Sequence, residues 1–208
     1  MAKKQLKEFP DIALRQKDID GIISFSDIFG RKGPVHIEVG SGKGTFLVNE
    51  AKFQPEINFL GIEWANKYCK FTVDRIGRWA LENVRIIRAD AAVFIAQHIG
   101  GESVDYFHIY FPDPWPKKRH HKRRFLCAAN LEQMTRCLKK DGLINIATDH
   151  AEYFQWMMEV FDGFKDRFTP VEFVKPAGAD ENEHAGTNFE RKYIKENRSI
   201  YTAAFKKK

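Results

Sequence analysis

Five residues, Pro112-Asp113-Pro114-Trp115-Pro116, run without a spacer into Lys117-Lys118-Arg119-His120-His121-Lys122-Arg123-Arg124, joining one carboxylate on a stiff turn to a block of positive charge. Prolines at alternate positions fix three φ angles near ~−65° and remove three amide donors, so neither a helix interior nor a central strand can pass through. Residues 104–111 (VDYFHIYF) are rich in β-branched and aromatic side chains and follow Gly100-Gly101, which predicts a buried strand ending just before the turn. Asp113 therefore stands beyond a strand's carboxyl end, where open α/β sheets bind ligands, and flanking prolines suit a carboxylate whose work is placement. The competing reading is an aspartate that caps the next helix. Six Lys/Arg side chains within residues 117–124 favour a polyanion. A solvated helix start or a nuclear-import signal is the alternative for such a run.

A second stretch, Glu38-Val39-Gly40-Ser41-Gly42-Lys43-Gly44, joins an apolar strand to a helical pattern, and its glycines let the backbone turn tightly against a ligand. The dinucleotide spacing G-x-G-x-x-G fails at Thr45, and the phosphate loop G-x-x-x-x-G-K-[ST] fails at Ile37 and Gly44. What remains, G-x-G-x-G with an acid two residues earlier, resembles the cofactor loop of Rossmann-like S-adenosylmethionine methyltransferases. On that reading Gly40, Gly42 and Gly44 approach the cofactor and Glu38 faces its cationic methionine end. Glu63, about twenty residues on at the end of the second strand, accepts from the ribose hydroxyls. Asp90, after the third strand, accepts from the adenine amino group. Each acid alone is also a plausible helix cap, but three acids ending three successive strands form a pattern.

The elements that must position these groups alternate. Strands are expected at residues 35–39, 58–63, 84–88, 104–111 and 143–147, with a helix through Phe46, Leu47, Glu50 and Ala51, a short one ending at Gln97, and others at 65–81, 124–138 and 150–161. Such alternation implies an α/β fold, a mostly parallel seven-stranded sheet with helices on both faces. Residues 169–175 and 199–205 read as further strands around a polar, acidic loop at 176–186. Residues 1–34 read as an N-terminal extension packed on one domain of residues 35–208. A chain of 208 residues with 43% hydrophobic and 30% charged residues suits one globular domain, and the net charge of +6 adds weakly to the case for a polyanion. No apolar run nears the ~20 residues of a membrane span, and the lysines near Met1 lack an apolar segment behind them, so neither membrane nor secretion is expected. Cys69, Cys127 and Cys137 are too far apart for a Cys-x-x-Cys pair, which argues for a reducing, cytoplasmic setting without a disulfide framework or metal site.

Taken with Thr148-Asp149 and Thr187-Asn188-Phe189-Glu190, the two stretches resemble the bacterial tRNA (guanine-N7-)-methyltransferase family. The glycine loop is generic to methyltransferases, whereas the proline-tryptophan turn with its basic run is specific to this family. The resemblance implies that Glu38, Glu63, Asp90 and Asp113 contact the methyl donor and that Asp113 is also catalytic. It assigns Lys117, Asp149, Thr187, Asn188, Phe189 and Glu190 to the substrate, and Arg119, His120, His121, Lys122, Arg123 and Arg124 to RNA. The partner it implies is tRNA, methylated in the variable loop, with no obligatory protein partner. Two positions depart from the family pattern: Asn188 replaces a lysine, and Asn197 replaces a glycine in what should be a left-handed turn.

The residue chemistry supports this reading. The seven-nitrogen of neutral guanine carries a lone pair, so its methylation needs placement and electrostatics rather than a general base. Glu190 or Asp149 is expected to accept the two parallel donors on guanine's opposite edge, and Trp115 or Phe189 to stack on the base, unless Trp115 is a core anchor under the turn. Two rivals stand. An enzyme that methylates an exocyclic amine would place an Asp/Asn-Pro-Pro-aromatic turn here, and this chain has Trp115 where the second proline belongs. A non-catalytic RNA-binding scaffold would not need the acids at 38, 63 and 90.

Overall fold

A computed structural model of the chain describes residues 6–208; the lysines at positions 3 and 4 lie outside them. In chain order the elements are β1 (Ala13–Leu14), α1 (Phe25–Phe29), β2 (Val35–Val39), α2 (Thr45–Phe53), β3 (Asn58–Glu63), α3 (Asn66–Arg78), β4 (Val84–Arg88), α4 (Ala91–His98), β5 (Val104–Tyr110), α5 (Ala128–Cys137), β6 (Leu138–Thr148), α6 (Ala151–Asp162), β7 (Phe168–Val171), α7 (Asn188–Lys195) and β8 (Tyr201–Lys207). They form one sheet of order β1-β4-β3-β2-β5-β6-β8-β7. The β1 to β6 pairings are parallel and the last two, β6 with β8 and β8 with β7, are antiparallel. The seven expected strands are present, and an eighth comes from the extension, whose Ala13 and Leu14 pair with Ile86 and Ile87 at the sheet edge.

Strands β2, β3 and β4 read as near-continuous apolar runs because both faces are covered. Ile37, Leu60, Ile62 and Ile87 pack on one side with Phe94, Phe107 and Tyr153, while Phe46, Leu47, Phe59 and Ile86 pack on the other with Ile76. Chain order reverses between β2 and β5, which lie side by side with Val39 opposite Ile109. That neighbourhood is the crevice where doubly wound sheets take ligands. The glycine loop leaves β2 there, and the proline turn leaves β5.

The helix expected from Arg124 begins only at Ala128, because residues 118–123 form a 3-10 helix of their own and Arg124 continues in extended backbone. Arg124 is not an RNA contact; it is 2% exposed. Its Nε donates to the Pro114 carbonyl oxygen at 2.9 Å, and its two terminal nitrogens donate to the Glu152 carboxylate at 3.1 and 2.5 Å. The guanidinium lies over the Tyr153 and Trp156 rings at 4.8 and 5.1 Å. The last cation of the basic run has folded beneath the turn, where the planar guanidinium satisfies backbone, carboxylate and aromatic faces together. Arg119, Lys122 and Arg123 stay exposed, while His120 and His121 are half-buried beside Trp115 and Trp156. No helix among the described residues is long and apolar enough to cross a membrane.

This arrangement separates the cations of the run by mutation. Arg124→Ala is expected to cost about 2–3 kcal/mol through lost packing and pairing, and Arg119→Ala less than about 0.5 kcal/mol. Urea denaturation of the two variants against the parent checks it; equal stability would remove Arg124 from the support of the turn.

Candidate active site

The glycine loop is held from three sides. Gly40 and Ser41 donate their amides to Ile62 O at 2.8 and 3.3 Å. Thr72 Oγ1 donates to Gly42 O at 3.1 Å, and Arg75 donates to Lys43 O and Thr45 Oγ1 at 3.1 and 2.6 Å. Gly44 sits at φ 66°, and a Cβ there would lie 2.5 Å from Thr72 Cγ2, so both conformation and contact require glycine. Glu63 is buried at the end of β3: one oxygen accepts the Gly42 amide at 2.8 Å, the other the Ala65 amide at 2.7 Å. Each carboxylate oxygen keeps a further lone pair, so Glu63 can shape the loop and still accept from a ligand hydroxyl.

Above the loop lies a cavity of about 210 Å³, lined by Glu38, the residues from Gly40 to Lys43, Tyr68, Tyr110 and the start of α7. Glu38 is 4% exposed and its Oε2 has no hydrogen-bond partner. Burial, reinforced by the negative charges of Glu63 and Glu50, holds its carboxyl up to about 8. An unpaired carboxylate in such a place is costly unless a cation meets it. The cavity therefore fits a ligand with a positively charged end, such as the ammonium and sulfonium of the expected methyl donor.

Beneath the cavity the same sheet face is polar. Tyr110 Oη and His108 Nδ1 are 2.9 Å apart, and His108 Nε2 lies 3.2 Å from His36 Nδ1. Burial holds His36 down at about 4 and His108 well below the ordinary imidazole range, so both are neutral near pH 7. Asp90 stands farther along the strand ends, exposed, with Oδ1 capping α4 by accepting from Ala92 and Val93 at 2.9 and 3.2 Å. Its capping role and its expected contact with adenine use different lone pairs.

On the β5 side, Asp113 is exposed and caps no helix, since the following 3-10 helix takes Lys117 at its N-cap without a side-chain bond. Phe111 and Trp115 flank it at φ 52° and 45°, left-handed conformations that bulky residues rarely adopt. Lys117 is exposed. Trp115 is half-buried with Arg123 over its ring at 4.9 Å, so Phe189, 46% exposed, is the freer stacking surface. Asp149 Oδ2 accepts from Arg198 at 2.7 Å, and Arg198 lies over the Tyr193 ring at 4.6 Å. Burial and then the Asp149 carboxylate raise the Tyr193 phenol, with Asp113 adding to the effect. Asn197 adopts φ 52°, the left-handed turn expected of it.

Thr187 to Phe189 begin α7, and a Cβ on Gly42 would lie 3.9 Å from Phe189 Cε2, so this helix start roofs the glycine loop. Thr187 Oγ1 caps the helix by accepting from the Glu190 amide at 3.1 Å, and Asn188 is exposed. Glu190 does not face a base. It is 0% exposed, and its oxygens accept the amides of His184, Ala185 and Gly186 at 2.5, 2.8 and 2.8 Å. Of the two acids expected at guanine's edge, Asp149 alone is left as a candidate. Helix α7 went unpredicted, although Thr-x-x-Glu at 187–190 is a capping-box spacing that marks a helix start. Tyr193 and Arg198 were missed with it.

Residues 32–203 match a family described as "putative methyltransferase". The chain is 33% identical to a tRNA (guanine-N(7)-)-methyltransferase of Rhodopirellula baltica, over 99% of this chain and 83% of that one. It is 33% identical to another of that name from Listeria innocua, over 96% and 92%. Among solved structures, an antibiotic-related methyltransferase aligns with a TM-score of 0.61 at 17% identity, covering 90% of this chain and 96% of that one. A SAM-dependent methyltransferase from Aquifex aeolicus aligns at 0.56 and 12%, covering 86% of each chain. The structures share the fold, and the sequence relatives, at this identity over nearly full length, establish that the chain belongs to the tRNA (guanine-N7-)-methyltransferase family.

Proposed function

We propose that the chain transfers a methyl group from S-adenosylmethionine to the seven-nitrogen of a guanosine in the variable loop of tRNA, in the cytoplasm. The observation that carries this is a buried carboxylate oxygen of Glu38 without a partner, in a cavity between the glycine loop and the start of α7. The methyl donor supplies a methyl group on a positively charged sulfur. Glu38 opposes the charge of its amino-acid end, Glu63 and Asp90 take the ribose and adenine, and the glycine loop lets the backbone come close. Asp113, fixed by prolines on both sides, opposes the positive charge that grows on the purine. Asp149 accepts from guanine's far edge, Phe189 stacks, and Lys117, Arg119, Lys122 and Arg123 meet phosphates. No side chain has to remove a proton.

Labelled methyl donor and bulk tRNA, followed by reduction and aniline treatment, test the product. Scission at a labelled variable-loop guanosine is expected; label without scission would exclude the seven-nitrogen as the acceptor, and no label together with no binding of the methyl donor would favour a scaffold. Asp113→Ala is expected to lower kcat by about 10²-fold or more without loss of fold, as removal of one charge-stabilising group does. Turnover near that of the parent would remove Asp113 from the chemistry.

Glu38 adds a pH dependence. Its folded value of about 8 lies above the ordinary 4.5, so its stabilisation of the free protein is complete below 4.5 and is lost as pH rises through about 8. Binding of a cationic ligand needs the ionised form. Affinity for S-adenosylhomocysteine, which keeps the ammonium, should rise up to about tenfold per pH unit towards 8 and then level off. Calorimetric titration across pH checks it, and Glu38→Gln should flatten the profile; an unchanged slope in that variant would assign the proton to another group.

A further inference from the structure

Residues 172–187 carry no regular secondary structure between β7 and α7, yet the helix start they deliver roofs the glycine loop. Two residues of α2 grip this segment at one point. Glu50, 3% exposed, accepts the Gly178 amide on Oε1 at 2.5 Å, and Asn49 Nδ2 donates to the Gly178 carbonyl at 3.2 Å. The other Glu50 oxygen accepts from Gln54 Nε2 at 2.5 Å, so the carboxylate is oriented by the C-cap residue of its own helix. The approach leaves no room: a Cβ on Gly178 would lie 2.6 Å from Asn49 Cβ and 2.9 Å from Glu50 Oε1.

From that grip a line of contacts leads to the site. Ala179 follows Gly178, and a Cβ on Gly186 would lie 3.0 Å from Ala179 Cα, so the two limbs of the loop are packed back to back. Gly186 donates to Glu190 and precedes Thr187, the cap of α7; two residues on, Phe189 reaches Gly42. Arg191 closes the loop from the helix side by pairing with Asp180 and Glu183. Helix α2 therefore begins at the methyl-donor loop and, within its own second turn, holds the segment that sets the substrate-facing helix.

The geometry points to Glu50 as a positioning residue for methyl transfer: by holding Gly178 it fixes Thr187, Asn188 and Phe189 over the glycine loop in the place where they meet the tRNA. The role of those three residues rests on the function proposed above; the grip itself does not. Glu50 touches neither reactant. Its contribution is that the α7 start is already in place when tRNA arrives, so less ordering has to be done on binding.

Three variants test this. Glu50→Ala removes the acceptor, Gly178→Ala crowds it away, and Glu50→Gln keeps an oxygen for the Gly178 amide. Hydrogen exchange on the free protein should show the amides of residues 184–186 and 190 exchanging about tenfold faster or more in the first two variants, with β2 to β5 unchanged and Glu50→Gln like the parent. With tRNA, KM should rise about tenfold in the first two while kcat holds within about threefold, and Glu50→Gln should restore KM. A general loss of stability that leaves KM and local exchange unchanged would overturn the proposal, as would a Glu50→Gln variant no better than Glu50→Ala. If the parent itself places no methyl group on tRNA, the proposed function fails, and hydrogen exchange alone decides the grip. Should Gly178→Ala not fold, the Glu50 pair gives the answer by itself.

Discussion

Glu38, Glu50, Glu63 and Glu190 are all buried, and a buried carboxylate is tolerable only when something answers its charge. Glu63 is answered by the amides of Gly42 and Ala65, Glu190 by three successive amides of the acidic loop, and Glu50 by Gly178 and Gln54. Each of these three converts an irregular stretch of backbone into a fixed one. The glycine loop, the start of α3 and the approach to α7 have their shapes because a carboxylate draws their N–H groups inward. Glu38 is the exception, with one oxygen unanswered, and burial, reinforced by the charges of Glu63 and Glu50, makes its own ionisation harder. The same residue type thus builds the walls of the site and leaves one cation-seeking point inside it.

The opposite wall is built from strain and from a cation. Phe111 and Trp115 hold left-handed backbone on either side of Pro112-Asp113-Pro114, a conformation whose cost must be offset by what lies around it. Arg124 supplies part of that from below, tying the Pro114 carbonyl to α6 through Glu152. Sequence proximity had grouped Arg124 with the exposed cations, but one extended residue after a 3-10 helix turned it inward. The basic run is therefore two things: an exposed charged surface and, at its end, a foundation for the turn that precedes it.

The strands and their order were legible because parallel strands buried on both faces are continuous apolar runs, and β2, β3 and β4 match their expected limits residue for residue. The glycine loop was legible because its departures from two phosphate-binding spacings left one reading. Harder to see were features that depend on three-dimensional partners. Glu190 looked like a base-reading acid until the fold brought three amides to it, and Arg124 looked like its neighbours. The polar face under the cavity hid inside a strand of aromatic residues, since Tyr106, His108 and Tyr110 share a face only once the strand alternates. Glu50 gave no signal at all, because its partner is 128 residues away in sequence.

The antiparallel end of the sheet carries a consequence for the order of assembly. Strand β7 precedes β8 in the chain, yet it pairs with β8 and not with β6, so it has no sheet partner until β8 has docked. Asp149 leaves β6 and Arg198 approaches β8, and their ion pair spans that same junction. With only the parallel core complete, the contacts that shape the glycine loop can form while Asp149 still lacks its partner Arg198. The shape of the glycine loop and the pairing of Asp149 would then be acquired in sequence, the second waiting on the strand that closes the sheet.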